Sequence, residues 1–212
     1  MKTLNNFLTE KLKLNKKSKV FEYNYHPKDK DELRSLIEQL LEERGKDANL
    51  NDIDVSAIQD FCYISPARDY GLFFKLDIGN IDISEWDMSN ATNISYMFWK
   101  CEKFNSNLSK WDVSKVEKMT QMFYLCENFT SDLSSWNVSN VEYMNGMFWK
   151  CEKFNSDLSK WDVRKVKDMG CMFCDCKNFN YDLSKWDVSK VKNMKGIFMG
   201  CNSLTNKPTW YK

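Results

Sequence analysis

A 25-residue repeat dominates the sequence and limits the folds that are open to it. The clearest markers are tryptophan, phenylalanine and cysteine columns, in which equivalent residues recur every 25 positions. A fixed period between 20 and 50 residues is typical of proteins whose repeats bury their apolar side chains against one another. One repeat cannot bury enough apolar surface to offset the entropy of ordering its backbone, so the repeats must stack. The columns are Trp86, Trp111, Trp136, Trp161 and Trp186; Phe98, Phe123, Phe148, Phe173 and Phe198; and Cys101, Cys126, Cys151, Cys176 and Cys201.

The pattern within each repeat predicts a strand followed by a short helix. Trp111 and Val113 lie two residues apart, which is typical of one face of a strand. The following apolar residues, at positions 116, 119, 122, 123 and 126, have the spacing of one helical face. We therefore expect an α/β solenoid, a stack of 25-residue coils that each contain a strand and a short helix.

The flanks of the repeats predict four segments. Residues 1–19 form a basic leader, since residues 1–20 carry six lysines and one glutamate. Residues 20–50 predict an N-terminal β-α cap, whose helix has Leu33, Ile37 and Leu40 on one face. Residues 51–204 form the repeat solenoid of about six coils, the first with a loop insertion within "PARDYGLFFKLDIG". Residues 205–212 predict a C-terminal cap, in which Trp210 lies 24 residues after Trp186.

The pattern "FNSDLSKWDVSKVxxMxxMFxxC" resembles the 25-residue repeat of the BspA-like leucine-rich-repeat proteins. This bacterial family is often found on cell surfaces and is also encoded by phages. The resemblance covers residues 51–204. It implies a right-handed, leucine-rich-repeat-like stack and a role in adhesion or interaction, without a catalytic residue set to transfer. The leader has a weaker resemblance to leaders of phage-encoded proteins.

Charge and hydropathy exclude several partners. The chain has 31 Lys and Arg residues against 30 Asp and Glu residues, and residues 47–87 carry nine acidic groups against two basic ones. No continuous basic stripe is available for nucleic acid. No apolar run approaches the ~18 residues that a membrane span needs, and the N-terminus lacks the apolar core of a signal peptide. We expect no membrane insertion and a cytoplasmic location, or the cell surface or virion if the resemblance or the leader governs.

Catalytic and metal sites are not predicted. The cysteine column occupies apolar positions, so we expect buried free thiols. "CMFCDC" supplies Cys171, Cys174 and Cys176 at ligand-like spacing, but the sole histidine, His26, lies in the N-terminal segment. Cys171 and Cys174 are expected to be exposed. The aspartates recur as a column that is typical of turns, and we expect no catalytic residues, no metal and no cofactor. The column is Asp87, Asp112, Asp162 and Asp187, with Asn137 between them.

The candidate binding residues lie where the columns vary or carry charge. Trp99, Tyr124 and Trp149 follow the phenylalanine column, and such aromatics either form an exposed interaction patch or pack beneath the connecting turn. A mixed-charge face is predicted beside the tryptophan column. We expect a protein partner, with a glycan as the alternative, and the oligomeric state stays open. The charged candidates are Lys110, Asp112, Lys160, Asp162, Lys185 and Asp187.

Two functions agree with these features. The first is a non-catalytic, binding or adhesion-type protein-interaction module in a phage or host-associated setting. The second is a structural or cargo protein, in which the basic leader directs assembly and the repeats act as a stable spacer.

Overall fold

A computed structural model of the protein describes residues 23–64 and 70–211. The helix of these ranges, α1, spans Lys30–Arg44 and is the helix expected in the N-terminal cap. The side chain of Asp29 accepts hydrogen bonds at its start, and Gly45 ends it at φ 85°. The apolar face is confirmed, because Leu33, Ile37 and Leu40 are fully buried. The leader at residues 1–19 lies outside the described residues.

The described repeats contain isolated β-bridges in place of strands. Residues 111–113, which were predicted to form a strand, take part in no bridge. The strand predicted at the start of the N-terminal cap is reduced to one bridge at Tyr25, and residues 20–22 of this cap lie outside the described residues. The main column of parallel bridges lies elsewhere in the repeat, where single residues of successive coils pair. The parallel bridges are Tyr25↔Ile53, Asn49↔Asp82, Asp60↔Asn93, Asn93↔Lys118, Lys118↔Tyr143, Tyr143↔Asp168 and Asp168↔Asn193, and Ile64↔Tyr70 is antiparallel.

The segment predicted to be a helix in each repeat is a succession of turns. Gln121 and Leu125 have φ angles of 49° and 62°, and equivalent positions in the other coils are also left-handed. A left-handed residue at every fourth position is incompatible with an α-helix. The prediction of a right-handed α/β solenoid with leucine-rich-repeat-like strand–helix coils is therefore wrong. The left-handed equivalents are Gly71 and Lys75, Tyr96 and Lys100, Gly146 and Lys150, Cys171 and Asp175, and Gly196 and Gly200.

The turns also divide the backbone N–H groups between two kinds of acceptor. The N–H of Met122 donates to Met119 O within its own turn, at 3.3 Å. The N–H of Phe123 donates to Met147 O in the next coil, at 2.9 Å. The N–H of Gln121 also donates to the next coil, to Asn145 O at 2.9 Å. Every second N–H in this segment therefore joins two coils. An α-helix would use these donors internally, and the coils would lose their backbone connection.

Equivalent side chains stack in the interior. The rings of Trp111 and Trp136 are parallel, with centroids 6.5 Å apart, and those of Phe98 and Phe123 are 5.5 Å apart. The indole Nε1 of Trp136 donates to Leu108 O at 3.0 Å, a carbonyl of the preceding coil. Polar hydrogens of the core are thus satisfied by the same coil-to-coil geometry that stacks the rings. The other tryptophans with this bond to a preceding coil are Trp86, Trp111, Trp161, Trp186 and Trp210.

The N-terminal end of the stack is closed by α1. Nη1 of Arg34 donates to Leu72 O at 2.6 Å and to Phe74 O at 3.0 Å. Two coils further on, the equivalent carbonyls of Met122 and Tyr124 accept from backbone N–H groups of the preceding coil. One guanidinium therefore supplies donors that a preceding coil would otherwise provide.

Replacement of Lys150 by glycine distinguishes the turn structure from a helix. Lys150 has φ 61°, and Gly200 occupies the equivalent position at φ 75°. A non-glycine residue in this conformation costs about 1–2 kcal/mol, so Lys150→Gly should leave the free energy of unfolding unchanged or raise it by up to about 1 kcal/mol. In a helix the same change would lower it by about 1 kcal/mol. Urea unfolding is the measurement.

The control for this experiment is Lys118→Gly. Lys118 is also exposed, but it is not among the left-handed residues. Glycine there should lower the free energy of unfolding by roughly 0.5–1 kcal/mol. An equal loss in both variants would contradict the turn structure.

Candidate binding surface

Four aromatic residues form a continuous row across four coils. We call Phe74, Trp99, Tyr124 and Trp149 the aromatic row. The ring centroids of Phe74 and Trp99 lie 4.9 Å apart, those of Trp99 and Tyr124 5.7 Å, and those of Tyr124 and Trp149 5.3 Å. All four side chains are half-buried. The rings pack on one another, and part of each ring is still exposed. This arrangement is intermediate between the two predicted alternatives, an exposed patch and packing beneath the connecting turn.

Two tryptophans of the row differ from those of the core in their hydrogen bonding. Nε1 of Trp99 and Nε1 of Trp149 are buried and have no hydrogen-bond partner. The core indoles, such as that of Trp136, all donate to carbonyls. A buried donor that lacks an acceptor costs about 1–3 kcal/mol. The row therefore carries two donors that are not needed for the stacking of the coils.

A positive charge lies at the N-terminal part of the aromatic row. Nζ of Lys100 lies 4.2 Å from the ring centroid of Trp99 and 5.9 Å from that of Phe74. Tyr70 also packs on Trp99, with centroids 5.7 Å apart. Sequence reasoning did not find Phe74 or Tyr70, because both belong to the irregular first coil.

A groove of about 330 Å³ continues from the C-terminal end of the row. We call it the glycine groove. Trp149 and the exposed Met199 are its large apolar residues, and Cys171 lies between their coils. The groove exists because glycines occupy positions that carry side chains in neighbouring coils, such as Gln121. The remaining lining residues are Gln121, Asn145, Gly146, Gly170, Asn193, Lys195 and Gly196.

Gly196 is favoured in the groove for two reasons, although Tyr96, Gln121 and Cys171 occupy the equivalent left-handed position in other coils. Its φ angle is 68°, which strains other residues. A Cβ atom there would lie 3.2 Å from Sγ of Cys171. The shape of the groove thus depends on glycines that stand where other coils have larger residues.

The predicted charged candidates make contacts apart from the aromatic row in the described structure. Nζ of Lys110 bonds to Glu85 at 2.5 Å, and Asp187 accepts from the Ser189 N–H at 3.0 Å. Lys160 and Lys185 are exposed. A ligand-binding role for these residues stays a prediction. The described contacts bring none of the charged candidates together with the aromatic row.

The aspartate column serves the turns, as the sequence predicts. Asp112 accepts a hydrogen bond from the Ser114 N–H at 3.0 Å, and Asn137 accepts the same bond from Ser139 at 3.1 Å. The hydrogen bonds from Ser114 lower the pKa of Asp112. At Asp162 the guanidinium of Arg164 donates to the carboxylate, and this bond lowers the pKa to about 2.

The cysteine column consists of buried free thiols, which confirms the prediction. Sγ of Cys126 donates to Phe98 O at 3.0 Å, and burial raises its pKa far above the ordinary value. The expectation that Cys174 is exposed is wrong: it is fully buried, and burial raises its pKa to about 12. Cys171 is half-buried at the groove. Within residues 23–64 and 70–211, no three His, Cys, Asp or Glu side chains are grouped to hold a metal ion.

The fold and this surface define a protein of stacked, turn-built coils with an aromatic row on one face. The chain matches a family model described as "Mycoplasma protein of unknown function, DUF285" over residues 69–173 and 136–211. These segments cover more than half of the chain, and the chain belongs to this family. The resemblance to BspA-like leucine-rich-repeat proteins is therefore corrected, because the matching family is a different one and the coils lack the predicted strands and helices. No curated protein and no solved structure matches.

No helix in the described part of the chain is long and apolar enough to cross a bilayer. The compartment stays a prediction.

Thiol labelling tests the burial of the cysteine column. In the native protein at pH 8, iodoacetamide should modify Cys171 and Cys62, which are half-buried, at least tenfold faster than the column thiols. Peptide mass spectrometry measures the rate at each site, and urea should remove the difference. Native labelling of Cys126 at the rate of Cys171 would contradict the structure.

The pH dependence of stability tests the turn carboxylates. The folded pKa of Asp162 is about 2, below the ~3.9 of an unfolded aspartate. The contribution of Asp162 to the free energy of unfolding is therefore present above about pH 4 and is lost as the pH falls toward 2. Asp162→Asn should make the fall in unfolding free energy over this range less steep. Urea titrations at pH 7, 4 and 2.5 measure the slope.

Asn137 offers the reciprocal control. It occupies the equivalent position and already accepts the turn hydrogen bond as an amide. Asn137→Asp should make the acid-induced loss steeper. A steeper loss in Asp162→Asn, or no change in both variants, would refute the role of the column.

Proposed function

We propose that the protein is a non-catalytic protein-interaction module that binds its partner through the aromatic row and the glycine groove. The observation that carries the proposal is the pair of buried indole donors at Trp99 and Trp149, which have no acceptor. Unsatisfied buried donors in a native structure call for an explanation. A partner that shifts the rings and brings oxygen acceptors to them removes the cost of leaving these donors unpaired.

The composition of the surface favours a protein partner. Tryptophan and tyrosine dominate the residues that contribute most to protein interfaces. The glycine groove adds the flexible, apolar Met199, whose side chain is 55% exposed. A groove with an apolar wall suits an inserted side chain, and backbone carbonyls of a polypeptide supply acceptors. A glycan, which also stacks on aromatic rings, is the alternative outcome of the test below.

The rigidity of the stack supports the same function. Neighbouring coils are joined by backbone hydrogen bonds such as Leu125 N–H to Trp149 O at 2.8 Å. The backbone that carries the rings is thereby held at fixed spacing before a partner arrives, so binding requires adjustment of side chains and little backbone ordering. The recurring aspartates act as turn acceptors, which supports a role for them other than acid–base chemistry.

Alanine substitution of the row tests the proposal. The triple variant Trp99→Ala, Tyr124→Ala, Trp149→Ala and the wild type are used as baits in extracts of the native host. Recovered partners are then purified and titrated against both proteins. We expect the triple variant to bind at least 100-fold more weakly, because it loses the aromatic contacts. A surface control is Tyr143→Ala with Tyr181→Ala, which should keep wild-type affinity. Equal affinity of the wild type and the triple variant refutes the proposal, and recovery of a glycan favours the alternative.

A milder double variant isolates the two indole donors. Trp99→Phe with Trp149→Phe keeps aromatic rings and removes both N–H groups. Since neither donor is paired, the free energy of unfolding should not fall through lost hydrogen bonds. Affinity for the recovered partner should still fall about tenfold, as expected for loss of hydrogen bonds. The contrast is Trp136→Phe, which breaks a bond to Leu108 O and should destabilise the fold.

A further inference from the structure

The last complete coil has a row of backbone donors without acceptors. In the coil before it, alternate N–H groups donate to the next coil, for example Cys171 to Lys195 O at 2.9 Å and Asp175 to Met199 O at 2.7 Å. The equivalent groups one coil later find no acceptor in the described part of the chain. We call this edge, residues 192–200, the open rung. Its unpaired donors are the N–H groups of Met194, Gly196, Phe198 and Gly200.

The open rung also contains one backbone acceptor without a donor, the carbonyl of Lys192. The carbonyl of Lys167 accepts from the Lys192 N–H at 2.8 Å, whereas no described donor reaches the carbonyl of Lys192 itself. The edge therefore presents the same backbone donors and acceptor that an inner coil uses to bind the next coil. The opposite end of the stack differs, because Arg34 donates to two of its carbonyls, those of Leu72 and Phe74.

Apolar side chains beside the open rung are less covered than their equivalents. Val163, Val166 and Met169 are almost completely buried by the following coil. The corresponding residues of the last coil are only half-buried, and they are Val188, Val191 and Met194.

The C-terminal segment covers the other half of the last coil. Trp210 stacks on Trp186 with centroids 6.4 Å apart, and Tyr211 packs against Phe198 at 5.4 Å. The uncovered part is thus confined to residues 188–200, and Phe198 lies at its border.

The charge of this end indicates what covers it. Residues 188–211 contain four lysines and no Asp or Glu. All four lysines are exposed. Three acidic side chains lie near the rung, and each accepts a hydrogen bond within the stack. Asp187 accepts from the Ser189 N–H, Asp168 from the Asn193 amide, and Asp175, which lies beside Gly200, from Sγ of Cys174 at 3.7 Å. A negatively charged partner is therefore favoured. The lysines are Lys190, Lys192, Lys195 and Lys207.

We propose that the open rung binds an acidic peptide segment of a partner protein, which adds a further coil to the stack. Its backbone carbonyls accept from the four N–H groups, and its carboxylates face the lysines. Addition of a segment to an exposed backbone edge is a general mode of peptide recognition. A single small anion cannot bridge donors that are spread over seven residues. The open rung shares Asn193, Lys195, Gly196 and Met199 with the glycine groove and no residue with the aromatic row. The triple variant Trp99→Ala, Tyr124→Ala, Trp149→Ala should therefore bind the acidic peptide like the wild type, which separates a failure of this proposal from a failure of the proposed function.

A second copy of the chain is a less suitable occupant. Its acidic first coils have carboxylates that are held internally, such as Asp52 by Arg44 at 2.8 Å and Asp54 by Ser56 at 2.6 Å. Carboxylates of a flexible segment are free to face the lysines.

A synthetic peptide serves as the probe. It has the sequence of residues 141–154 with Lys150→Glu, Lys153→Glu and Cys151→Ser, so it resembles a coil segment and is acidic. A basic control peptide carries Glu142→Lys, Glu152→Lys and Cys151→Ser. Amide resonances of the full-length, ¹⁵N-labelled protein are recorded with each peptide, together with amide hydrogen exchange.

In the free protein, the Gly196 and Gly200 amides should exchange at least tenfold faster than those of Cys171 and Asp175. The acidic peptide should shift the resonances of Met194, Gly196 and Gly200 and slow their exchange at least tenfold. The basic peptide should do neither.

Two lysine variants supply the matched comparison. Lys190→Glu with Lys192→Glu and Lys195→Glu should weaken binding of the acidic peptide at least tenfold. The same charge change far from the rung, in a variant with Lys28→Glu, Lys46→Glu and Lys118→Glu, should leave binding unchanged. The proposal is overturned if the rung amides do not respond, if both peptides bind equally, or if sedimentation shows a dimer in which these amides are already protected.

Discussion

The hydrogen bond from every second backbone N–H to the next coil is the constraint on which the rest of the structure depends. It sets the register at one repeat, so that each residue lies against its equivalent. The alternate N–H groups close turns, and the left-handed residues that these turns require exclude a helix. Because the spacing between coils suits ring stacking, the same register places phenylalanine on phenylalanine and tryptophan on tryptophan. Core packing and backbone pairing thus reinforce each other.

The repeat uses tryptophan in two ways, and the difference separates the stacked core from the proposed binding surface. In the interior, an indole such as that of Trp136 fills the stack and satisfies a carbonyl of the preceding coil. In the aromatic row, Trp99 and Trp149 pack on Tyr124 through their rings, and their indole donors remain unpaired. The first use is repeated in each coil because the geometry demands it. The second use varies between coils, and it forms the surface that we propose binds a partner.

The sequence predicted the columns but not the local backbone. Burial of Trp111, Phe123 and Cys126 follows from the period alone, and α1 follows from its apolar face and from its capping residues. The repeated helix was predicted wrongly because positions 116, 119, 122, 123 and 126 face inward in a series of turns as well as in a helix. Leu125 and Lys150 carry no signal for a left-handed conformation, since glycine is the usual residue there. The glycine groove and the role of Arg34 depend on contacts between distant residues, and no local pattern indicates them.

The identical decapeptide "MFWKCEKFNS" at residues 97–106 and 147–156 shows how interchangeable the coils are. Each coil meets only the one before and the one after, so an in-frame gain of a whole unit would find the same surroundings on both sides. Such a gain would add one ring to the aromatic row and move the free edge outward by one unit without altering either. The reach of the molecule can therefore change in whole steps, whereas a gain of a few residues inside a coil would put every later column out of alignment.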